Sequence, residues 1–169
     1  MMKRRLEAGV SVLEIVITLS ILSVVSVASV WLVFTTLSLR DKALATTLTQ
    51  ESLRVFTAKL RLAVLNANVV SGTSTSLLLT SASECWSFVY DSVAQNIRYS
   101  QILSSGCTPD PNPSTNFFPT ITSIGSITFT INPLATGGRQ VTATGVVKTT
   151  LPFDNYQTSF ADTFTNVVD

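Results

Sequence analysis

The chain contains no histidine. That absence removes the Ser-His-Asp and Cys-His arrangements of nucleophilic catalysis, and every metal site built on imidazole. Charge is scarce too: Asp, Glu, Lys and Arg make up 12% of 169 residues and nearly cancel, to a formal +1. Without the first nine residues, which hold Lys3, Arg4, Arg5 and Glu7, eight bases face nine acids. A near-neutral chain has no general electrostatic drive toward nucleic acid. After residue 68 only Arg98, Arg139 and Lys148 are basic, too few for a groove that releases several counterions. Asp91, Asp110, Asp154 and Asp162 are scattered without pairing in sequence, so the chain does not read as an enzyme. No nucleic-acid partner and no cofactor is expected.

Glycine and proline are missing from Val10 through Ser71. Nothing in that stretch interrupts a helix. Its first half is apolar: Ile15 to Phe34 is a run of twenty residues without a charge, IVITLSILSVVSVASVWLVF. A hydrocarbon core of ~30 Å takes about 20 such residues as helix. Lys3-Arg4-Arg5 stand before the run, which predicts a cytoplasmic N-terminus and an exported remainder. A cleaved secretory signal would have a shorter apolar region followed by a small-residue site and a polar mature start. Here Ser26-Val27-Ala28 is followed by more apolar residues, so a spanning helix is expected.

One residue does not suit a plain anchor. Glu14 stands at the head of the run, five residues after Gly9. A carboxylate at the bilayer centre costs ~2.5–3.5 kcal/mol, and less near an interface. Headgroup depth alone explains its tolerance. It does not explain the combination of basic residues, glycine, carboxylate and uninterrupted apolar helix.

That combination, KRRLEAG then VSVLE then IVITLSIL, resembles the leader of type IV prepilins, the precursors of type IV pilins and type II secretion pseudopilins. The resemblance covers about the first 30 residues. It implies that a membrane prepilin peptidase cuts between Gly9 and Val10 and methylates the new amine of Val10. It also implies that Glu14 sets assembly register by meeting the α-amino group of a neighbouring subunit; the amine of its own chain, one helical turn away, is the alternative partner. Val10 stands where Phe or Met is usual, and Ser11 where Thr is common. The lack of a helix breaker in the apolar half leans toward a minor pilin or a pseudopilin. The implied partners are other pilin-like subunits, the peptidase and the membrane. The implied location is the inner membrane with the head exported, then a filament. The competing expectation is an unprocessed single-pass protein that carries an exported β-domain for adhesion or binding.

Beyond Leu39 the helix is expected to continue as an amphipathic one, with Leu53, Phe56, Leu60, Ala63 and Ala67 at spacings of 3 and 4. Asn66-Ala67-Asn68 and Ser71-Gly72 supply stop signals. From Val69 the period becomes two. CWSFVYD reads as a half-buried strand with Trp86, Phe88 and Tyr90 on one face, and Asn96 to Ile102 as its antiparallel mate. SITFTIN, then QVTATGVVKTT with Gly145 as a candidate bulge, then YQTSFADTFTNVV, read as further strands. The expected fold class is therefore α+β: a long N-terminal helix, transmembrane then amphipathic, packed against an antiparallel β-sheet head. The expected divisions are a removed leader (1–9), a transmembrane and filament-core helix (10–39), its amphipathic continuation (40–68) and the exported head (69–169).

Two further features concern the head. Cys85 and Cys107 are the only cysteines. In an exported domain they are expected to pair, worth roughly 3 kcal/mol in the chain-entropy account; separate buried thiols are the alternative. CTPDPNPSTNFFP, residues 107–119, carries four prolines and reads as an irregular, rigid surface loop suited to partner contact. Its alternating Asp110, Asn112, Ser114 and Asn116 have the oxygen chemistry of calcium loops. Pro111 and Pro113 lock φ, however, and neither a turn glycine nor a downstream bidentate Glu follows. No metal is expected.

Overall fold

The computed structural model describes residues 11–119, 122–135, 137–152 and 154–166. The chain divides into two units between Arg40 and Asp41. One α-helix, α1 (Val12–Asn66, 55 residues), contributes to both. Its length follows from the missing helix breakers. Strong helix formers and β-branched residues alternate through it without a single glycine or proline.

In the first unit no residue from Ser11 to Thr36 is buried. In the second unit α1 packs on eight antiparallel strands. These are β1 (Val69–Gly72), β2 (Ser76–Thr80), β3 (Cys85–Asp91), β4 (Asn96–Ile102), β5 (Thr115–Asn116), β6 (Thr122–Pro133), β7 (Arg139–Leu151) and β8 (Asp154–Asn166). The architecture is α+β. Strand order is β1-β2-β3-β4-β5 in one sheet and β6-β7-β8 in a second. The head is thus two sheets rather than one. They meet where the N–H of Phe129 donates to the Ser74 carbonyl (2.8 Å) and that of Ile124 to the Gln95 carbonyl (2.7 Å).

The amphipathic stripe of α1 is buried as its spacing predicts: Phe56, Leu60, Ala63, Val64 and Ala67 face the sheets, with Leu53 partly covered. The stripe begins earlier than the apolar pattern suggests, at Ala45 and Thr49. Thr49 is polar yet fully buried. Its hydroxyl bonds the Ala45 carbonyl at 2.8 Å and lies 2.6 Å from the Thr149 hydroxyl of β7, so its burial leaves nothing unsatisfied.

Phe56 is the centre of the core. Its ring packs on Phe88, Phe117, Phe118 and Phe160, at centroid distances of 5.4–6.1 Å, three of them edge-to-face. Both sheets and the β5–β6 connection therefore close around one side chain of the helix. The end of α1 is fastened from the far end of the chain: the Asn166 side-chain amide donates to the carbonyls of Val64 (2.8 Å) and Ala67. Carbonyls in the last turn have no partner within the helix, so a buried helix end needs such a donor.

β3 and β4 pair antiparallel as expected, in the register Cys85↔Ile102 through Asp91↔Asn96. The hairpin is pinned at its turn. The Asp91 carboxylate accepts from the N–H groups of Val93 (2.9 Å) and Ala94 (3.0 Å) and forms an ion pair with Arg98. β3 is more buried than a half-buried strand. Cys85 and Ser87 are covered as completely as Trp86 and Phe88, so both faces of its first half are inside. Cys85 is joined by a disulfide to Cys107, with Cα atoms 6.0 Å apart.

Two expectations are corrected. Residues 107–119 are not wholly a surface loop. Thr115 and Asn116 form β5 against Tyr99 and Arg98, and Phe118 is buried. The buried Asn96 makes this possible, because its amide donates to the Phe118 carbonyl (2.9 Å) and accepts from the Phe118 N–H (3.1 Å). It pairs with that backbone as a strand would.

The bulge is not at Gly145. It lies in the partner strand at Gly125, where Ile124 pairs with Val147 and Ser126 with Val146. The extra residue changes which parity faces inward, Thr122 and Ile124 before it, Ile127 and Phe129 after it. Gly145 has another cause. A Cβ there would lie 2.6 Å from the Ser126 carbonyl oxygen and 2.9 Å from the Phe160 ring, so the glycine makes room for the ring.

Candidate functional site

The largest exposed apolar surface is the first unit's length of α1. Val24 and Trp31 are each 69% exposed and Leu22 61%, values that in a water-soluble head would be reserved for loop tips. The segment is long and apolar enough to cross a membrane.

Its polar side chains do not make it polar. The hydroxyls of Ser20, Ser26, Ser29, Thr35 and Thr36 donate to the carbonyl four residues earlier at 2.7–2.9 Å, and Ser23 to that of Ser20 at 2.8 Å. The serine row at Ser20, Ser23, Ser26 and Ser29 is therefore satisfied within its own helix and needs no hydroxyl partner on a second one. What it presents outward is small size.

At the head of this segment lies a feature that stays polar. Ser11 is the N-cap. Its hydroxyl accepts from the Leu13 N–H at 3.3 Å, and its carbonyl accepts from Glu14 (2.9 Å) and Ile15 (3.2 Å). Glu14 falls three residues after the cap, in the first turn, where its charge complements the positive end of the helix dipole. Ser11-Val12-Leu13-Glu14 is the S-x-x-E pattern of a capping box. The pattern was present in the sequence as an ordinary helix-start signal, apart from any role for Glu14 between subunits. Only its serine half is formed: the Glu14 carboxylate has no hydrogen-bond or ion-pair partner among the described residues. Gly9 and Val10, the expected cleavage and methylation positions, lie outside the described residues.

The remaining candidates do not converge on chemistry. Among the described residues no three His, Cys, Asp or Glu side chains are grouped to hold a metal ion. In the proline-rich segment Asp110 is engaged locally, its carboxylate accepting from the Asn112 N–H at 2.8 Å, while Asn116 lies in β5. Asp91 is held below the usual carboxylate range, first by the Ala94 N–H, then by Val93 and by the Arg98 guanidinium; desolvation opposes them. That is the chemistry of a turn clasp rather than of a proton-transfer group.

Comparison with family models, curated proteins and solved structures finds no match for this chain.

Proposed function

We propose that this chain is a type IV pilin-like structural subunit of the minor-pilin or pseudopilin kind. In this reading a prepilin peptidase removes residues 1–9 at the Gly9–Val10 bond and methylates Val10. The apolar half of α1 then holds the subunit in the inner membrane with its head exported, and later forms the core of a pilus or pseudopilus. The partners are other such subunits, the peptidase and the membrane. Neither a cofactor nor nucleic acid nor catalysis enters the proposal.

The observation that carries it is the state of Glu14. A carboxylate without a partner among the described residues heads a helical segment whose serine and threonine hydroxyls from Thr18 to Thr36 are all satisfied on the helix's own carbonyls, and whose surface is bare for some six turns. In an apolar bundle a lone carboxylate is costly, and a matching cation makes it tolerable only in the correct geometry. An α-amino group with a reference pKa of ~7.7–8.0 is mostly protonated near neutrality. Cleavage before Val10 creates such a cation four residues from Glu14, either on the same chain or in reach of a neighbour. The pair then discriminates against slipped registers.

The test is the mass and N-terminal sequence of the full chain expressed with an active prepilin peptidase. A product that begins at methylated Val10 is expected, with Gly9→Leu left uncut. Glu14→Gln should insert and be processed yet enter filaments poorly. A wild-type product that keeps residues 1–9 beside active peptidase overturns the proposal and leaves a single-pass anchored β-domain.

A further inference from the structure

The two sheets leave four edges, and they are treated differently. β1 and β5 are short, at four and two residues. β6 has its edge engaged by the carbonyls of Ser74 and Gln95. β8 is long and open. All 13 of its residues pair with β7 in one unbroken register. From Tyr156 to Thr165 its backbone makes no hydrogen bond to any other segment among the described residues.

Exposed edges of this length are ordinarily blunted by lysine, proline, a bulge or a covering loop. Among the described residues β8 has none of these. The residues alternating outward are Gln157, Ser159, Ala161, Thr163 and Thr165, all uncharged. Beside the edge runs a groove of about 600 Å³ between β8 and α1, floored by Ala58, Leu62, Leu65 and Phe164. Arg54 and Arg61 line it, both exposed and neither in an ion pair among the described residues; Asp162 is the one acid there.

We propose that the open edge of β8 accepts, as a fourth strand of its sheet, an extended segment of another polypeptide that carries carboxylates on the side facing α1. Backbone pairing supplies attachment, and side chains at alternate positions supply selection. The occupant's charge follows from the lining: two unpaired guanidiniums against one carboxylate favour an acidic strand, bound through charge-assisted hydrogen bonds. Its spacing follows from the helix. Arg54 and Arg61 are two turns apart, about 10 Å along the axis. Side chains on one face of a strand recur about every 6.7 Å, so acids two or four residues apart fall within reach of both guanidiniums. An apolar residue between the acids would meet Leu62 and Leu65. This inference does not depend on leader processing and stands or falls separately from the assembly role of Glu14.

The test uses the full chain in detergent and three fluorescein-labelled synthetic peptides, read by fluorescence polarisation. The first is Thr-Glu-Thr-Leu-Thr-Glu-Thr. The second replaces both Glu by Lys. The third replaces the two inner Thr by Pro, which keeps charge and leucine but removes backbone donors. Saturable binding of the first is expected, with the other two weaker by about tenfold or more. Arg61→Glu and Arg54→Glu, exposed positions where the head should remain folded by circular dichroism, should each weaken the first peptide about tenfold to a hundredfold. Absence of saturable binding by the first peptide at about 1 mM overturns the proposal. So does equal binding of the proline peptide, which would mean attraction of charge without strand pairing. Spontaneous dimers cross-linked through Ser159→Cys without peptide would give the edge to a second copy of this chain and overturn it as well.

Discussion

Replacing Phe56 by alanine tests whether the helix is held to both sheets through one side chain. The ring is fully buried and has aromatic neighbours from three places: Phe88 in the first sheet, Phe117 and Phe118 in the connection, and Phe160 in the second sheet. Removing a buried Phe ring costs about 3–5 kcal/mol, including the cavity that remains. Each edge-to-face pair adds ~0.5–1.5 kcal/mol beyond simple burial. Three such pairs are lost here, so the cost should fall in the upper part of that range, about 4–5 kcal/mol. Domains of this size have about 5–15 kcal/mol in total, and the head should be close to unfolding. The assay is guanidinium unfolding of the full chain in nonionic detergent, followed by near-ultraviolet circular dichroism of the aromatic cluster. Val24→Ala, at a position 69% exposed in the first unit, is the control and should leave the head transition in place. A loss below about 1 kcal/mol for Phe56→Ala would refute the account of the core, since it is inconsistent with the cost of a buried ring.

Three further outcomes are expected. Reducing the Cys85–Cys107 bridge, which spans 22 residues, should lower stability by roughly 3 kcal/mol in the chain-entropy account, measured by denaturation with and without reductant. Asn166→Ala should cost about 1–3 kcal/mol, because the Ala67 carbonyl loses the Asn166 amide and the Val64 carbonyl keeps only the Ala67 N–H at 3.3 Å; amide exchange should show the last turn of the helix opening first. Asp91 has a depressed folded-state pKa, so its contribution is complete above its unfolded value near 3.8 and is lost as pH falls through the lower folded value. Wild type should therefore exceed Asp91→Asn in stability at neutral pH, and the gap should close below about pH 4; a gap independent of pH would contradict the clasp.

The elements of this protein were legible wherever local pattern and burial agree. Twenty uncharged residues make a helix long enough for a membrane in any context, and the 3-and-4 spacing from Leu53 to Ala67 names the face that must be covered. CWSFVYD and its mate pair antiparallel as read, because alternation marks both as strands. Ser11 as a helix cap was not read from the sequence, although the S-x-x-E pattern carried that signal.

What failed were judgments about neighbours. Four prolines made residues 107–119 read as surface, yet Phe118 lies inside because Asn96, 22 residues earlier, offers an amide to its backbone. Glycine in a strand signals either an extra residue or a close approach. Which of the two holds at Gly145 and at Gly125 depends on where Phe160 and β6 lie, and nothing adjacent to either glycine in sequence carries that information.

The chain's order of residues thus determined the long helix, its two chemically different halves and most of its strands, because those depend on spacing within one segment. The tertiary structure alone decided that the strands form two sheets, that both close on Phe56, that Asn166 caps the helix and that β8 keeps an open edge. Each of these is a meeting between side chains or backbone groups far apart in sequence. Such meetings are set by shape and by the need to satisfy buried polar groups, and neither is written in a local pattern.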